Sequence, residues 1–235
     1  MSVLQDKTNA LARLDRLRKR LHVPPPPPPP PPERFSPVKN VTCYRCDFRR
    51  LPVKRGKVDS ICTDVPWATD WLENVEEFSE WCAWALRPGG IMATLYTAYN
   101  LNRLLAGLDT HLNYVWTCTS PMHGATLLHQ TFVARSSTLC VVYSNGEPDI
   151  HRSPCDLMPY SWMEKKYHNH QQSLPAVLYM VEHFAREGSL VVDPCGGGWT
   201  TAVACWRTRR KFVGSDNREN CLEVARRRFR DVMAA

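Results

Sequence analysis

The 235-residue sequence has no run of about 18 apolar residues, the least a membrane-spanning helix needs, so no membrane partner is expected. Its first 22 residues have no apolar centre and carry charge throughout, unlike a secretory signal. No GK[ST] follows its glycines, which argues against an ATP-binding phosphate loop. The CxxC at Cys43-Tyr44-Arg45-Cys46 has no second pair and no CxxxH at finger-like spacing, so no metal is expected. No internal repeat occurs. Several of the ten cysteines, Cys62, Cys82, Cys140 and Cys205 among them, sit inside apolar stretches. They read as reduced, buried small hydrophobes rather than as a disulfide framework.

What is present is an ordinary globular composition, 43% hydrophobic, with a formal charge of +7 and a pI near 8.9. That balance suits a polyanion such as nucleic acid but does not require one. Residues 1–22 read as a basic amphipathic helix, with Leu11, Leu14, Leu17 and Leu21 at three- and four-residue steps and Leu4 two turns, seven residues, before them. Residues 23–35, dominated by nine prolines, read as a polyproline II spacer. The helix or the tract is a candidate surface for a protein partner. The catalytic domain is expected over 36–235.

In that domain apolar strand-like runs alternate with helical patterns. Strands are expected at 41–46, 58–63, 91–96, 115–118, 138–143, 189–193 and 211–215. Helices are expected at 69–86, 101–108, 175–186, 200–208 and 217–230, with a turn at Arg87-Pro88-Gly89-Gly90. This is the pattern of an α/β fold with a mostly parallel twisted sheet and helices on both faces. Residues 117–169, less regular and rich in His, Ser, Pro and Met, read as a substrate-facing insertion.

Two strand ends carry the chemistry. "VVDPCGGGWTT" is a strand, a glycine turn and a helix start, and the next strand ends in "FVGSDN" with Asp216 placed 23 residues after Asp193. Glycines let a ligand approach the backbone, the helix start offers free N–H groups, and an acid on the second strand suits ribose hydroxyls. An adenosine-containing cofactor follows, without a choice among NAD, FAD and S-adenosylmethionine. "ICTDVPW" places a carboxylate, a carbonyl, a proline and an aromatic ring at another strand end. Methylating an exocyclic amine needs acceptors on its N–H bonds to localise the lone pair, which Asp64 and the Val65 carbonyl supply. Pro66 fixes the bend and Trp67 offers a stacking face for a flipped base.

Taken in order, these motifs resemble the S-adenosylmethionine-dependent DNA amino-methyltransferases, the N6-adenine and N4-cytosine family, in its permuted class with the catalytic motif ahead of the cofactor loop. "TDVPW" is similar to the family's [D/N/S]-P-P-[Y/F/W], and "ALRPGGIMATLYT" to its L-K-P-G-G turn and strand. "HQQSLP" is similar to H-P-x-Q-K-P, and "VVDPCGGGWTT" with "FVGSD" to the closing cofactor motifs. The resemblance implies a Rossmann-like methyltransferase fold. It also implies a methyl transfer from S-adenosyl-L-methionine to a flipped base in double-stranded DNA, in the cytoplasm of a bacterial or phage-infected cell. By resemblance, Asp64, Val65, Pro66 and Trp67 form the target-base site. Asp193, Pro194, Cys195, Gly196, Gly197 and Thr200 line the cofactor, with Asp216 on its ribose. Ser173 and Pro175 fall on its methionine end, and Asp47 after the first strand lies near it.

Asp at position 64 leans towards adenine N6 over cytosine N4. RNA as substrate, and a catalytically silent DNA-binding or partner subunit, are the competing readings. Sequence specificity is expected within 117–169, where His123, His129, Arg135, Arg152, Lys165 and Lys166 are candidates for phosphate or base contacts. So short an insertion fits a short site or a homodimer that shares the work. Three positions depart from the family. Val65 replaces a proline, Leu174 a lysine, and Trp199 the last glycine of the loop. A left-handed backbone at Trp199 would be costly, and its bulk would narrow the adenosine site or alter the turn.

Overall fold

In a computed structural model, the protein is described over residues 30–128, 132–160 and 165–234. The helix expected at 1–22, most of the proline tract, and His129 lie outside the described residues. The compact unit that holds the sheet runs from Pro32 to Ala235.

Eight strands form one sheet: β1 (Glu33–Val38), β2 (Val41–Arg45), β3 (Val58–Asp64), β4 (Leu86–Tyr96), β5 (Asn113–Leu128), β6 (Val133–Ser144), β7 (Leu190–Asp193) and β8 (Lys211–Asp216). Their order is β1-β2-β8-β7-β3-β4-β6-β5. The central five, β2 to β4 in that order, are parallel. β1 pairs antiparallel with β2, while β6 and β5 add an antiparallel hairpin to the far side of β4.

Five helices cover the sheet: α1 (Val75–Ala85), α2 (Leu101–Leu108), α3 (Leu174–Phe184), α4 (Thr200–Arg207) and α5 (Cys221–Ala234). Strand side chains alternate between two cores. Cys62, Ile91, Ala93, Cys140, Val142 and Val191 face α3, α4 and α5. Their neighbours Ile61, Met92, Val141, Tyr143 and Val192 face α1 and α2. Burial on both faces explains why these strands are nearly continuous apolar runs rather than alternating ones. The ten cysteines are all free thiols, eight of them buried, with Cys155 exposed and Cys195 half-buried.

The expected elements are present with shifted ends: the helix expected over 69–86 opens as a 3-10 turn, Asp70–Asn74, before α1, and α5 starts at Cys221 rather than at 217. Three departures are larger. The spacer expected to reach residue 35 yields to β1 at Glu33; Pro37 within it is accommodated by a register shift between Phe35 and Val38 on this edge strand. The turn expected at Arg87-Pro88-Gly89-Gly90 is absorbed into β4 as an irregular entry. There Val58 pairs with Leu86 and Ser60 with Ile91, and Gly89 takes φ +75°. A side chain at Gly90 would meet the carbonyls of Arg87 and Asp59 at 2.9 and 3.0 Å. Of the span expected as an irregular insertion, 117–169, the first half, up to Ser144, is largely strand, and the described residues after it are irregular. β5 and β6 pair with each other from Asn113–Ser144 to Leu128–Val133, interrupted between Pro121 and Thr126.

Candidate functional site

The strand order brings the two motifs together. β3 and β7 are adjacent, with Ile61 opposite Val192, although about half the chain separates them. From β3 the chain continues through α1 to β4 on one side; from β7 it continues through α4 to β8 on the other. The connections diverge at this point, and the crevice beyond the carboxyl ends of such strands is where α/β sheets hold ligands. A small, partly open cleft lies there, lined among others by Asp64, Asp193, Cys195, Gly196, Gly197 and Thr200.

Asp193 is buried at the end of β7. Its Oδ1 accepts from the Thr63 hydroxyl at 2.8 Å and the Cys195 N–H at 3.0 Å, which ties the two strand ends and starts the glycine turn. Burial pushes its pKa up to about 6, against the hydrogen bonds from Thr201, Thr63 and Cys195. Pro194 is buried behind it. Gly197 stands at φ +51°, and its N–H donates to Asp216 Oδ2 at 2.9 Å.

Asp216, at the end of β8, is not a free acid. Arg218 donates from its backbone N–H and Nε to Oδ1, at 3.0 and 2.8 Å, and from Nη2 to Oδ2 at 3.0 Å. A ribose hydroxyl reaching this carboxylate must compete with that guanidinium. Asp47 caps the short 3-10 turn Phe48–Arg50, accepting from the Arg49 N–H at 3.0 Å and from its guanidinium at 3.0 and 3.1 Å.

Trp199 adopts the left-handed conformation at φ +59°, ψ 32° and is fully buried. Its indole lies beneath the loop, with its N–H on the Cys221 carbonyl at 2.8 Å and its ring edge-on to Phe212. It therefore packs into the core facing α3 to α5, and it leaves no room above it: a side chain at Gly196 would come within 2.6 Å of the indole. Buried Arg228 braces the loop from α5 through the Gly198 carbonyl and, at 3.0 Å, the Thr200 hydroxyl.

On β3, Asp64 is half-buried with both carboxylate oxygens engaged. Oδ1 accepts from Trp67 Nε1 at 3.0 Å and Oδ2 from Gln172 Nε2 at 2.6 Å. Burial pushes its pKa up to about 8 despite these donors, and nearby Asp193 adds to the rise. Val65 is buried, and the N–H that a proline would lack reaches the Thr94 hydroxyl at 3.3 Å. Pro66 is exposed at the bend. Trp67 is held edge-on to Tyr96 at 6.2 Å, with the Arg135 guanidinium over its ring at 4.9 Å. Ser173 precedes α3 with its hydroxyl buried and without a partner among the described residues; Leu174 and Pro175 open that helix.

Sequence reasoning missed Gln172, Arg218 and Arg228. Gln172 falls at a variable place in its motif and the arginines read as surface charge, so no sequence signal marks any of them. Of the recognition candidates, exposed His123 stacks on Tyr160, and Lys166 pairs with Asp231 at 2.7 Å. Arg152 and Lys165 are exposed.

No family model matches the chain. It is 20% identical over 199 residues to the putative methylase YubD of Escherichia coli K12, a match spanning 76% of this chain and 84% of that protein. The PvuII DNA methyltransferase, cytosine-N4-specific, superposes with a TM-score of 0.68 at 16% identity, covering 82% of this chain and 86% of that one. The M1.HpyAVI-SAM complex superposes with a TM-score of 0.63 at 16% identity, covering 80% and 98%. This chain has the fold of both solved structures.

Proposed function

We propose that the chain is an S-adenosylmethionine-dependent DNA amino-methyltransferase of the N6-adenine/N4-cytosine family, acting on the exocyclic amine of a flipped base, with adenine N6 as the favoured target. One observation carries the reading: Asp64, with the family's aromatic hydrogen-bonded to it, stands at the end of β3 beside the glycine loop of β7. Fit to the cofactor is supported by the loop with its two acids, by the left-handed glycine at 197, and by the buried Ser173 hydroxyl that lacks a partner among the described residues. The residues that would hold it are Asp193 to Gly197, Thr200, Ser173 and Pro175. Asp216 would serve as well once Arg218 yields.

When bound, S-adenosylmethionine supplies a methyl group made electrophilic by its sulfonium. Asp64 accepts an N–H of the target amine, and the Val65 carbonyl is the second acceptor. Together they would turn the amine's lone pair towards the methyl group that the cofactor would supply and take up the positive charge that develops on the amine. The N–H proton held by Asp64 would then pass to that carboxylate and on to solvent. Asp64 must be ionised to act in this way, and Gln172 must release Oδ2. The preference for adenine rests on Asp at position 64. The solved structures of this fold include a cytosine-N4-specific enzyme, so nucleoside mass spectrometry of the product decides the base.

Purified protein with tritiated S-adenosylmethionine is expected to label unmodified DNA. Absence of both label and cofactor binding by calorimetry would sink the proposal. A second reading, a silent subunit of the same fold, is favoured by the occupied carboxylates of Asp64 and Asp216, and predicts DNA binding without label. Gln172 provides a sharper check. Its amide holds the Asp64 pKa down, so Gln172→Ala is expected to move the acid limb of the pH–rate profile to higher pH. An unmoved limb would show that this donor does not tune the carboxylate.

A further inference from the structure

The strand register places an arm over the site. Tyr96, the last residue of β4, pairs with Leu139, so β6 residues 133–138 continue past the carboxyl ends of the parallel strands. Along that stretch Val133, Ala134 and Ser136 are exposed, as is Phe132 just before it, while Arg135 turns inward. Its guanidinium lies 4.9 Å from the Trp67 ring centroid. Its Nε and Nη1 are buried and have no hydrogen-bond partner among the described residues.

A permanently charged group with buried, unanswered N–H donors is a binding site in want of an acceptor. A base edge offers neutral acceptors; a phosphate offers oxygens that also match the charge. Arg135 also lies on the aromatic ring that a flipped base would stack on. We propose that Arg135 grips the phosphate of the flipped target nucleotide, leaving the Trp67 ring as the base arrives. This rests on the DNA methyltransferase reading of the site. One movement uncovers the indole for the base and gives the two donors their acceptor.

The test compares wild type, Arg135→Ala and Arg135→Lys for methyl transfer to sheared unmodified genomic DNA across about 50 to 200 mM salt. For Arg135→Ala, kcat/KM for DNA is expected to fall about tenfold, and the slope of its logarithm against log salt to shrink by about one phosphate contact. Arg135→Lys is expected to keep the wild-type slope. Affinity for S-adenosylmethionine and melting temperature should stay at wild-type values in both variants. A loss of activity with an unchanged salt slope would overturn the proposal and reduce Arg135 to packing against Trp67. If wild type transfers no methyl group but binds DNA, the enzymatic reading fails by itself. The same slope comparison, made on the DNA-binding constant, then decides whether Arg135 meets a phosphate.

Discussion

Asp64→Ala is expected to lower methyl transfer by about a thousandfold, the scale of losing a preorganised group at the charge that develops in the transition state. Cofactor affinity should barely change, because Asp193, Asp216 and the glycine turn remain. Transfer that survives the substitution would remove Asp64 from the mechanism. The wild-type pH profile adds a second constraint. Burial raises the Asp64 pKa to about 8, so the carboxylate that accepts the amine forms as pH rises. With that value only about a tenth of the free enzyme is ionised at pH 7, and kcat/KM for DNA is expected to climb through about pH 8 and then level. The linkage has the matching sign. A carboxyl whose pKa is raised on folding favours the folded state at low pH, and that contribution is lost as pH rises through about 8. A rate plateau already reached at pH 6 would show that the site holds Asp64 ionised.

Trp199→Ala is expected to destabilise the protein by about 3–5 kcal/mol, the range for truncating a buried aromatic ring. The indole is fully buried, and burying a ring of about 200 Å² stabilises by about 5 kcal/mol. Holding a non-glycine residue left-handed costs about 1–2 kcal/mol, so burial wins. The strain remains in alanine and vanishes in glycine. Trp199→Gly should therefore unfold at a higher urea concentration than Trp199→Ala, by about 1 kcal/mol. If the two variants unfold together, the loop does not demand that conformation. Either substitution is expected to loosen the turn above the indole and weaken cofactor binding.

The expectation that Trp199 narrows the adenosine site meets a different outcome, and the reason shows how far the sequence could be read. Local signals placed the strand and the helix around the loop, and the positive φ at Trp199 follows from its place in the turn. Which way the ring points depends on the Cys221 carbonyl and Phe212, both supplied by other elements. The same division holds elsewhere. Asp64 and Asp193 were legible because strand ends and glycines announce themselves locally, and motif order implied their adjacency. Gln172 on Asp64, Arg218 on Asp216 and Arg135 on Trp67 are contacts between segments, and only the fold brings them together. β1 was hidden for a local reason: a proline at position 37 and the preceding proline tract both read against a strand.

That short strand has a practical consequence for anyone trimming the protein. A truncation begun at Ser36, where the sequence invites the cut, would delete the Glu33, Arg34 and Phe35 pairings with Arg45, Tyr44 and Cys43. It would also strip away Phe35, which Arg226 covers from α5. The edge of β2 from Cys43 to Arg45 would be left bare, an open template for a neighbouring chain. A shortened protein that stays in solution should begin ahead of Pro32.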